Sequence, residues 1–338
     1  MQPEQRQREP RVAVSLLRPL VRALVDHGKD YHVVLAASGL SAELVQSDAR
    51  IPHSRAVEFA ERVERVIGDP SVGLRYGTRL DAFDLGILSL LLASAPTVGA
   101  AIERVQHYGP LLHEASHEWG ETRAGLYYWY MDLHGVQLPA LTVEGILSAT
   151  VTRLRYRAGF DWAPQRVFFR HSAPAHLAEH VRIFRCPVDF NAEYAGLVID
   201  AETLALPNLD PSLISDLALR RADALLAELR SARGVVDAAR EQVLLSLKGA
   251  DIGADTIARR MHMSRSTLTR KLQKEGTTLS EIVDEVRQLL ALEYLRGPEL
   301  SFEEVARRLA FSDARAFRRA FVRWTGRTPA DYRNHLRG

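Results

Sequence analysis

Between Val57 and Ile67 apolar residues recur every three to four positions, at Val57, Ala60, Val63, Val66 and Ile67. That period places them on one face of a helix. Leu85 to Leu92 is a dense apolar run closed by Ser94-Ala95-Pro96, and Thr97 then reads as the N-cap of a helix through Val98, Ile102 and Val105. From Val14 to about Leu112 the pattern is therefore mostly helical. Around residue 114 it changes. The stretch Gly125 to Met131 carries Tyr127, Tyr128, Trp129 and Tyr130 between a glycine and Asp132, which suits a strand. Leu141 to Arg157 returns to a helical period, while Arg166–Arg170 and Gly196–Asp200 read as short strands. The first two-thirds of the chain is predicted to be α+β.

The last third is predicted to be all-helical, and it repeats one pattern. A linker at Pro207–Pro211 leads into a helix over 212–231, with Ile214, Leu217, Leu225 and Leu229 apolar. From Val236 onward two stretches share a grammar. In each, a short helix is followed by a turn ending in serine and then by a second helix with apolar residues four apart. Ile257, Ala258 and Met261 precede Ser264, Leu268 and Leu272; Val305, Ala306 and Leu309 precede Ser312, Phe317 and Phe321. Small Ala258 and Ala306 allow close helix crossing, so each stretch reads as a helix-turn-helix unit. Ser264 and Ser312 are the expected N-caps. With the leucines and phenylalanines inside, the outward positions are Arg265, Ser266, Thr269 and Arg270 in the first unit. In the second they are Ala314, Arg315, Arg318 and Arg319. Arginine can pair bidentately with guanine in a major groove, and serine and threonine reach bases or phosphates. A helix over Ser280–Arg296 joins the units. Its Leu279, Val283, Val286, Leu290 and Tyr294 share a face. At ~1.5 Å per residue it is roughly 25 Å long, enough to hold two reading helices near one duplex turn (~34 Å) apart.

Charge sharpens this division. The 338-residue chain has a net charge of only +2. Residues 231–338 carry 20 Lys+Arg against 14 Asp+Glu, and the remainder 24 against 28. A basic end on a mildly acidic body suggests an anionic partner for that end. The single cysteine, Cys186, rules out an internal disulfide framework and suits a reducing compartment. No apolar run approaches the ~18 residues of a membrane span, and the start is polar rather than signal-like. A cytoplasmic location is expected.

One motif points elsewhere. His113-Glu114-x-x-His117, followed by Gly120, matches the helical zinc motif of metalloproteases. A zinc helix must hold both histidines on one face for several turns. Here Gly109-Pro110 and Gly120 bracket the motif, a strand follows, and the position of a third histidine is Arg123. The bland reading, histidines at a surface or pocket edge, is preferred, with no catalytic residue, metal or cofactor expected. Cys186, next to Pro187 in an apolar setting, reads as a buried thiol rather than a nucleophile. The tyrosine run supplies candidate ligand-pocket residues. Alternation separates Tyr128 and Tyr130 from Tyr127 and Trp129, and Tyr128 and Tyr130 are taken as the candidates.

Residues 306–333 resemble the C-terminal signature of AraC/XylS-type transcription regulators, with Phe311, Phe317, Phe321, Gly326, Pro329, Tyr332 and Arg333 matching its framework. Ala310 departs from the usual glycine. The resemblance covers about Val236 to Arg337. It implies engagement of successive major grooves by both units, usually in a dimer that reads repeated half-sites on double-stranded DNA. Further segments are similar to the arabinose-binding-type effector domain of one AraC branch: Asp48–Pro52, Gly68–Arg75, Leu85–Leu88, Ser94–Ile102 and Cys186–Phe190. That likeness implies a small-molecule effector such as an amino acid, an amine, a fatty acid or a similar metabolite.

The expected organisation is a disordered tail (1–13), an α+β effector and dimerisation domain (14–206), a linker and coupling helix (207–232), and an all-α domain (233–338) with two helix-turn-helix units joined by a linker helix. The expected function is a ligand-responsive transcription activator that binds DNA as a homodimer and engages RNA polymerase. Its rivals are a constitutive DNA-binding regulator whose first domain only oligomerises and, remotely, a zinc hydrolase.

Overall fold

The computed structural model describes residues 9–79, 85–158, 161–207, 214–232, 234–247, 252–296 and 300–335. The chain divides into two units, one ending at Leu226 and the other beginning at Ala227. The expected linker falls almost wholly on residues 208–211, outside the described ones.

In the first unit β1 (Arg11–Ala13) pairs antiparallel with β2 (Arg50–Pro52). These residues belong to the expected tail. They are ordered instead because Val12 is buried and the backbone finds a partner strand. The tail's residues 1–8 lie outside the described residues. Helices α1 (Arg18–Asp26), α2 (Tyr31–Ala37), α3 (Ala42–Gln46) and α4 (His53–Ile67) pack into one core with this ribbon. Asp30 and Ser41 cap α2 and α3 by accepting from backbone N–H groups. On α4 the predicted stripe is present, but its centre is Ala56, Phe59, Ala60 and Val63, and Val66 faces out.

Next come α5 (Val72–Gly77), α6 (Ile87–Ala93) and α7 (Val98–Tyr108), the last capped by Thr97, whose hydroxyl accepts from Ala100 N–H at 3.1 Å. A five-stranded sheet follows. It is built from β3 (Ser116–Arg123), β4 (Leu126–Leu133), β5 (Arg166–Phe168), β6 (Val188–Asp189) and β7 (Ala195–Asp200). The spatial order is β3-β4-β7-β5-β6, antiparallel except for β5 with β6. The β3–β4 hairpin turns at Ala124 and Gly125, both with positive φ, the conformation a tight two-residue hairpin needs. Helix α8 (Ala140–Ala158) packs on α5 without intervening side chains. A Cβ on Gly73 would lie 1.9 Å from the Leu141 carbonyl oxygen, and one on Gly77 2.5 Å from that of Gly145. Ser148 Oγ donates to Leu74 O at 2.7 Å across the same contact. Helix α9 (Leu177–Phe184) and α10 (Ala201–Ala205) complete the layer.

Helix α11 (Ile214–Ala232) occupies the predicted coupling position. Its buried residues are Ala218, Ala222 and Leu226, at every fourth position, whereas Leu217 is 67% exposed. Two alanines and Leu226, not the expected Leu217, lie on the packed side. Tyr108 Oη donates to Asp223 at 2.6 Å, joining the end of α7 to α11. Burial and this contact push the Tyr108 phenol up to about 12.

The second unit is all-helical: α12 (Val235–Leu247), α13 (Ala254–Arg260), α14 (Arg265–Lys274), α15 (Leu279–Arg296), α16 (Phe302–Arg308), α17 (Ala314–Thr325) and α18 (Pro329–His335). It has two separate cores. One gathers α12 to α14 on the first half of α15, the other α16 to α18 on its second half, and Leu290 packs against both.

Candidate nucleic-acid interface and effector cavity

Each helix-turn-helix is built the same way. In α13–α14 the turn passes through His262 in the left-handed region (φ 54), and in α16–α17 through Ala310 (φ 51). Met263 N–H donates to Ala258 O and Phe311 N–H to Ala306 O, both at 2.9 Å. His262 N–H and Ala310 N–H donate three residues back, to Arg259 O and Arg307 O. This double closure ends a helix and redirects the chain. Neither turn uses the glycine that a left-handed position favours. Arg287 of α15 supports the second turn, donating to Leu309 O (2.8 Å) and Ala310 O (2.6 Å) with its guanidinium 4.2 Å from the Phe311 ring centre.

Ser264 caps α14, accepting from Thr267 N–H at 3.2 Å. Ser312 does not cap α17. Asp313 does so, accepting from Ala316 N–H at 2.7 Å, while Ser312 donates to the Asp313 carboxylate. A carboxylate one residue nearer the helix is the stronger acceptor for its N-terminal donors. Leu268 and Leu272 of α14, and Phe317 and Phe321 of α17, are buried, as the spacing predicts. Arg265, Ser266, Thr269, Arg270, Arg315, Arg318 and Arg319 are exposed, and Ala314 is half-buried.

Charge pairing separates these arginines from their neighbours. On α16, Arg307 and Arg308 both donate to Glu304, and these hydrogen bonds hold its carboxyl down to about 2. Arg323 meets Asp284, and Arg240 meets Asp237 and Glu285. Arg270, Arg315, Arg318 and Arg319 make no ion pair among the described residues. Arg265 makes a long one to Asp255, 3.6 Å, at the surface. Positive charge is thus left uncompensated on the outer faces of α14 and α17.

The first unit encloses a cavity of about 240 Å³. Its walls are mostly aliphatic, from α1, α4 to α8 and β4. The glycine contact of α5 with α8 forms one wall; Leu88, Leu92, Ile102 and Val105 of α6 and α7 form another. Among the described residues, Glu118 on β3 is the one carboxylate in the lining and Arg153 the one guanidinium. Glu118 Oε1 accepts from Ser116 Oγ at 3.1 Å, while Oε2 is buried with no partner among the described residues. Burial pushes the Glu118 carboxyl up to about 8, so it is neutral at physiological pH.

Residues 28–208 match the family described as the arabinose-binding domain of AraC transcription regulators, and residues 257–335 match a helix-turn-helix domain. The chain belongs to the AraC family of transcription regulators. Among proteins similar to this regulator, the ornithine utilization regulator of Pseudomonas aeruginosa is 28% identical over 331 residues, 95% of this chain and 96% of that one. The HTH-type transcriptional regulator VirS of Mycobacterium tuberculosis is 26% identical over 298 residues, 85% and 86% of the two chains. The crystal structure of transcriptional regulator CdpR from P. aeruginosa aligns over 95% of this chain and 98% of that one, at 21% identity and a TM-score of 0.45.

Other sequence candidates have structural places in this AraC-family regulator. His113 and His117 do not share a helix: His113 precedes β3 and His117 lies within it. The Ala115 N–H donates to His113 Nδ1, so His113 Nε2 carries the proton and donates to His53 Nδ1 at 2.9 Å. His53 Nε2 in turn donates to Gln137 O. Glu114 accepts from Arg11 N–H. His113 and Glu114 are engaged in these contacts, and His117 stacks on Trp119 and His134, so the motif residues share no helical metal-binding face. Cys186 is half-buried, and burial pushes its thiol up to about 11, as an unreactive thiol requires.

The lining of the cavity includes Trp129 and Met131, not Tyr128 and Tyr130. Alternation along β4 places the two tyrosines on the other sheet face. There Tyr130 stacks on Trp119 (5.2 Å) and also meets Tyr194 and Phe168. Glu118 and Arg153 went unnoticed in the sequence because they converge only through sheet register and α8, while Trp129 belonged to the aromatic run but lay on the strand face not chosen. An acidic residue in a predicted strand was the one signal available for Glu118.

Proposed function

We propose that the protein is an effector-responsive transcription activator working in the cytoplasm, with the α+β domain holding the effector and α14 and α17 reading DNA. The uncompensated arginines of the two capped helices carry the DNA assignment. Arg265, Ser266, Thr269 and Arg270 contact one major groove, and Ala314, Arg315, Arg318 and Arg319 the next. A homodimer reads repeated half-sites on double-stranded DNA and presents RNA polymerase with a surface at the promoter.

The cavity suits a molecule with an apolar body and a single hydrogen-bond-donating or cationic head beside Glu118, hence an amine or amino-acid-like metabolite. The relative named for ornithine utilization is compatible with an amine ligand. Aliphatic walls with one carboxylate favour a more apolar molecule than one bearing two ammonium groups. Effector binding acts through differential affinity for two domain arrangements. Four α7 residues, among them Val98 and Val105, line the cavity, and α7 ends at Tyr108, bonded to Asp223 of α11. That chain of contacts gives a route from the cavity to the coupling helix.

The test is a footprint of the purified protein on DNA upstream of its own gene and its neighbours, at two salt concentrations. Protection of repeated half-sites, each covering two adjacent major grooves on one face, is expected. Binding that only weakens with salt and protects no defined site on any genomic fragment would reject sequence-specific regulation.

A further inference from the structure

On the side of α8 away from the cavity, three imidazoles meet one carboxylate. Glu144 of α8 is 1% exposed, and its Oε1 lies 2.9 Å from His180 Nε2, 3.2 Å from His176 Nε2 and 3.7 Å from His171 Nε2. His180, in α9, is fully buried. His176 is the residue that begins α9, and His171 sits on the loop after β5, where its carbonyl accepts from Asn191 N–H. The sequence signal was three of twelve histidines within ten residues, two of them four apart and so on one helical face.

The second nitrogens of these rings fix their proton positions. His171 Nδ1 is 3.0 Å from Ser172 O, and His180 Nδ1 is 3.5 Å from His176 O. A carbonyl oxygen only accepts, so both Nδ1 atoms carry hydrogen. Each ring then turns its Nε2 toward Glu144. Both Nε2 atoms are buried and make no hydrogen bond. Two buried imidazole nitrogens thus face a buried carboxylate without a hydrogen bond to it, an arrangement that a cation bound among them would satisfy. Nδ1–H donated to a backbone carbonyl is the outer support that metal-bound histidines use. Phe169, Phe184 and Phe190 pack around His180, keeping that side dry. Glu64 of α4 lies within electrostatic reach of Glu144 and His176, adding negative character.

The geometry points to a binding site for a divalent first-row transition metal, zinc by coordination preference, formed by Glu144, His176 and His180, with His171 beside it. Tetrahedral zinc with bonds of ~2.0–2.1 Å sets its ligand atoms roughly 3.3 Å apart. The separations of 2.9, 3.2 and 3.7 Å bracket that spacing. The ligand atoms of Glu144, His176 and His180 all lie within 4.8 Å of one another. Imidazole nitrogens with one carboxylate suit zinc, cobalt or nickel and disfavour calcium or magnesium. The bound ion braces α8 against α9. Neither the sequence reading nor the family match assigns a metal here.

Untagged full-length protein, stripped with a chelator, is titrated with Co²⁺ and then competed with Zn²⁺. One equivalent of Co²⁺ per chain should bind with the visible bands of four-coordinate cobalt, and Zn²⁺ should displace it. His180→Ala and Glu144→Gln should each weaken binding by more than ~10-fold, the loss seen when even a ligand's support is disturbed. His117→Ala should bind as the parent does. Glu144→Gln preserves volume, so the test survives if His180→Ala fails to fold. No uptake by the stripped parent, or equal uptake by parent and Glu144→Gln, would overturn the site and leave an imidazolium–carboxylate cluster in its place.

Discussion

Arg270 and Arg319 sit at equivalent exposed places on α14 and α17, and neither makes an ion pair within 4 Å among the described residues, although Arg319 lies within electrostatic reach of Asp313. If they read bases, Arg270→Ala and Arg319→Ala each cost ~1–3 kcal/mol of operator affinity and relax preference at one position of the half-site. Competition binding against single-base operator variants measures this. A uniform loss on every sequence, with a smaller salt slope, would reassign them to phosphate contact. Glu118 makes a second prediction at this scale. Its folded value of about 8 lies above the ordinary carboxyl value of 4.5, so between these the native state holds a proton that the unfolded chain has released. Stability contributed by the neutral carboxyl is therefore full below about pH 4.5 and lost as pH rises to about 8. The limiting slope is ~1.4 kcal/mol per pH unit. Denaturant titrations of wild type and Glu118→Gln across this range should diverge with rising pH, with the variant the more stable at pH 8. An amine effector that needs the carboxylate should bind up to ~10-fold more tightly per unit rise in pH up to about pH 8 in wild type, and lose that dependence in Glu118→Gln.

At the scale of elements, the α5–α8 contact is one of the tightest places in the first unit. Gly73→Ala puts a methyl group 1.9 Å from a backbone carbonyl, which no side-chain rotation relieves. It should lower stability by about 3 kcal/mol, the upper part of the usual range for overpacking, read as a shifted denaturant midpoint of the first unit. Elements were legible in sequence where the cause is local. The periods of α4, α14 and α17, the Thr97 and Ser264 caps and the β4 strand follow from near neighbours along the chain. The Asp313 cap was missed because serine and aspartate stand side by side and both can cap. Non-local causes were not legible. The order of the sheet, the pairing of Arg11–Ala13 with a distant strand, and the face of β4 that turns inward all depend on partners far along the chain. Hence Trp129 and Met131, not Tyr128 and Tyr130, line the cavity. The histidine cluster needed α8 as well as its own loop, so spacing alone left it invisible.

For the whole molecule, regulation requires that cavity occupancy reach DNA binding. Tyr108 and Asp223 lie on the proposed route from the cavity to α11, outside the cavity lining and α14 and α17. Asp223→Ala should leave operator affinity without effector within about twofold of wild type while reducing the effector-induced change in reporter transcription by several-fold, a coupling of ~1 kcal/mol. Unchanged induction would place the route elsewhere. The two cores of the DNA-binding unit share Leu290 on α15, so the reading helices are fixed to one rod rather than tethered independently.

The two walls of the cavity also differ in how freely they can change over generations. Where α5 and α8 touch at Gly73, Gly77 and Gly145, backbone meets backbone and there are no side chains to exchange. Across from them the boundary is made of interchangeable aliphatic chains such as Leu88, Leu92, Ile102 and Val105. Relatives that answer to different metabolites are therefore expected to keep small residues at the first wall and diverge at the second. A laboratory selection for a new inducer should gather its substitutions on α6 and α7.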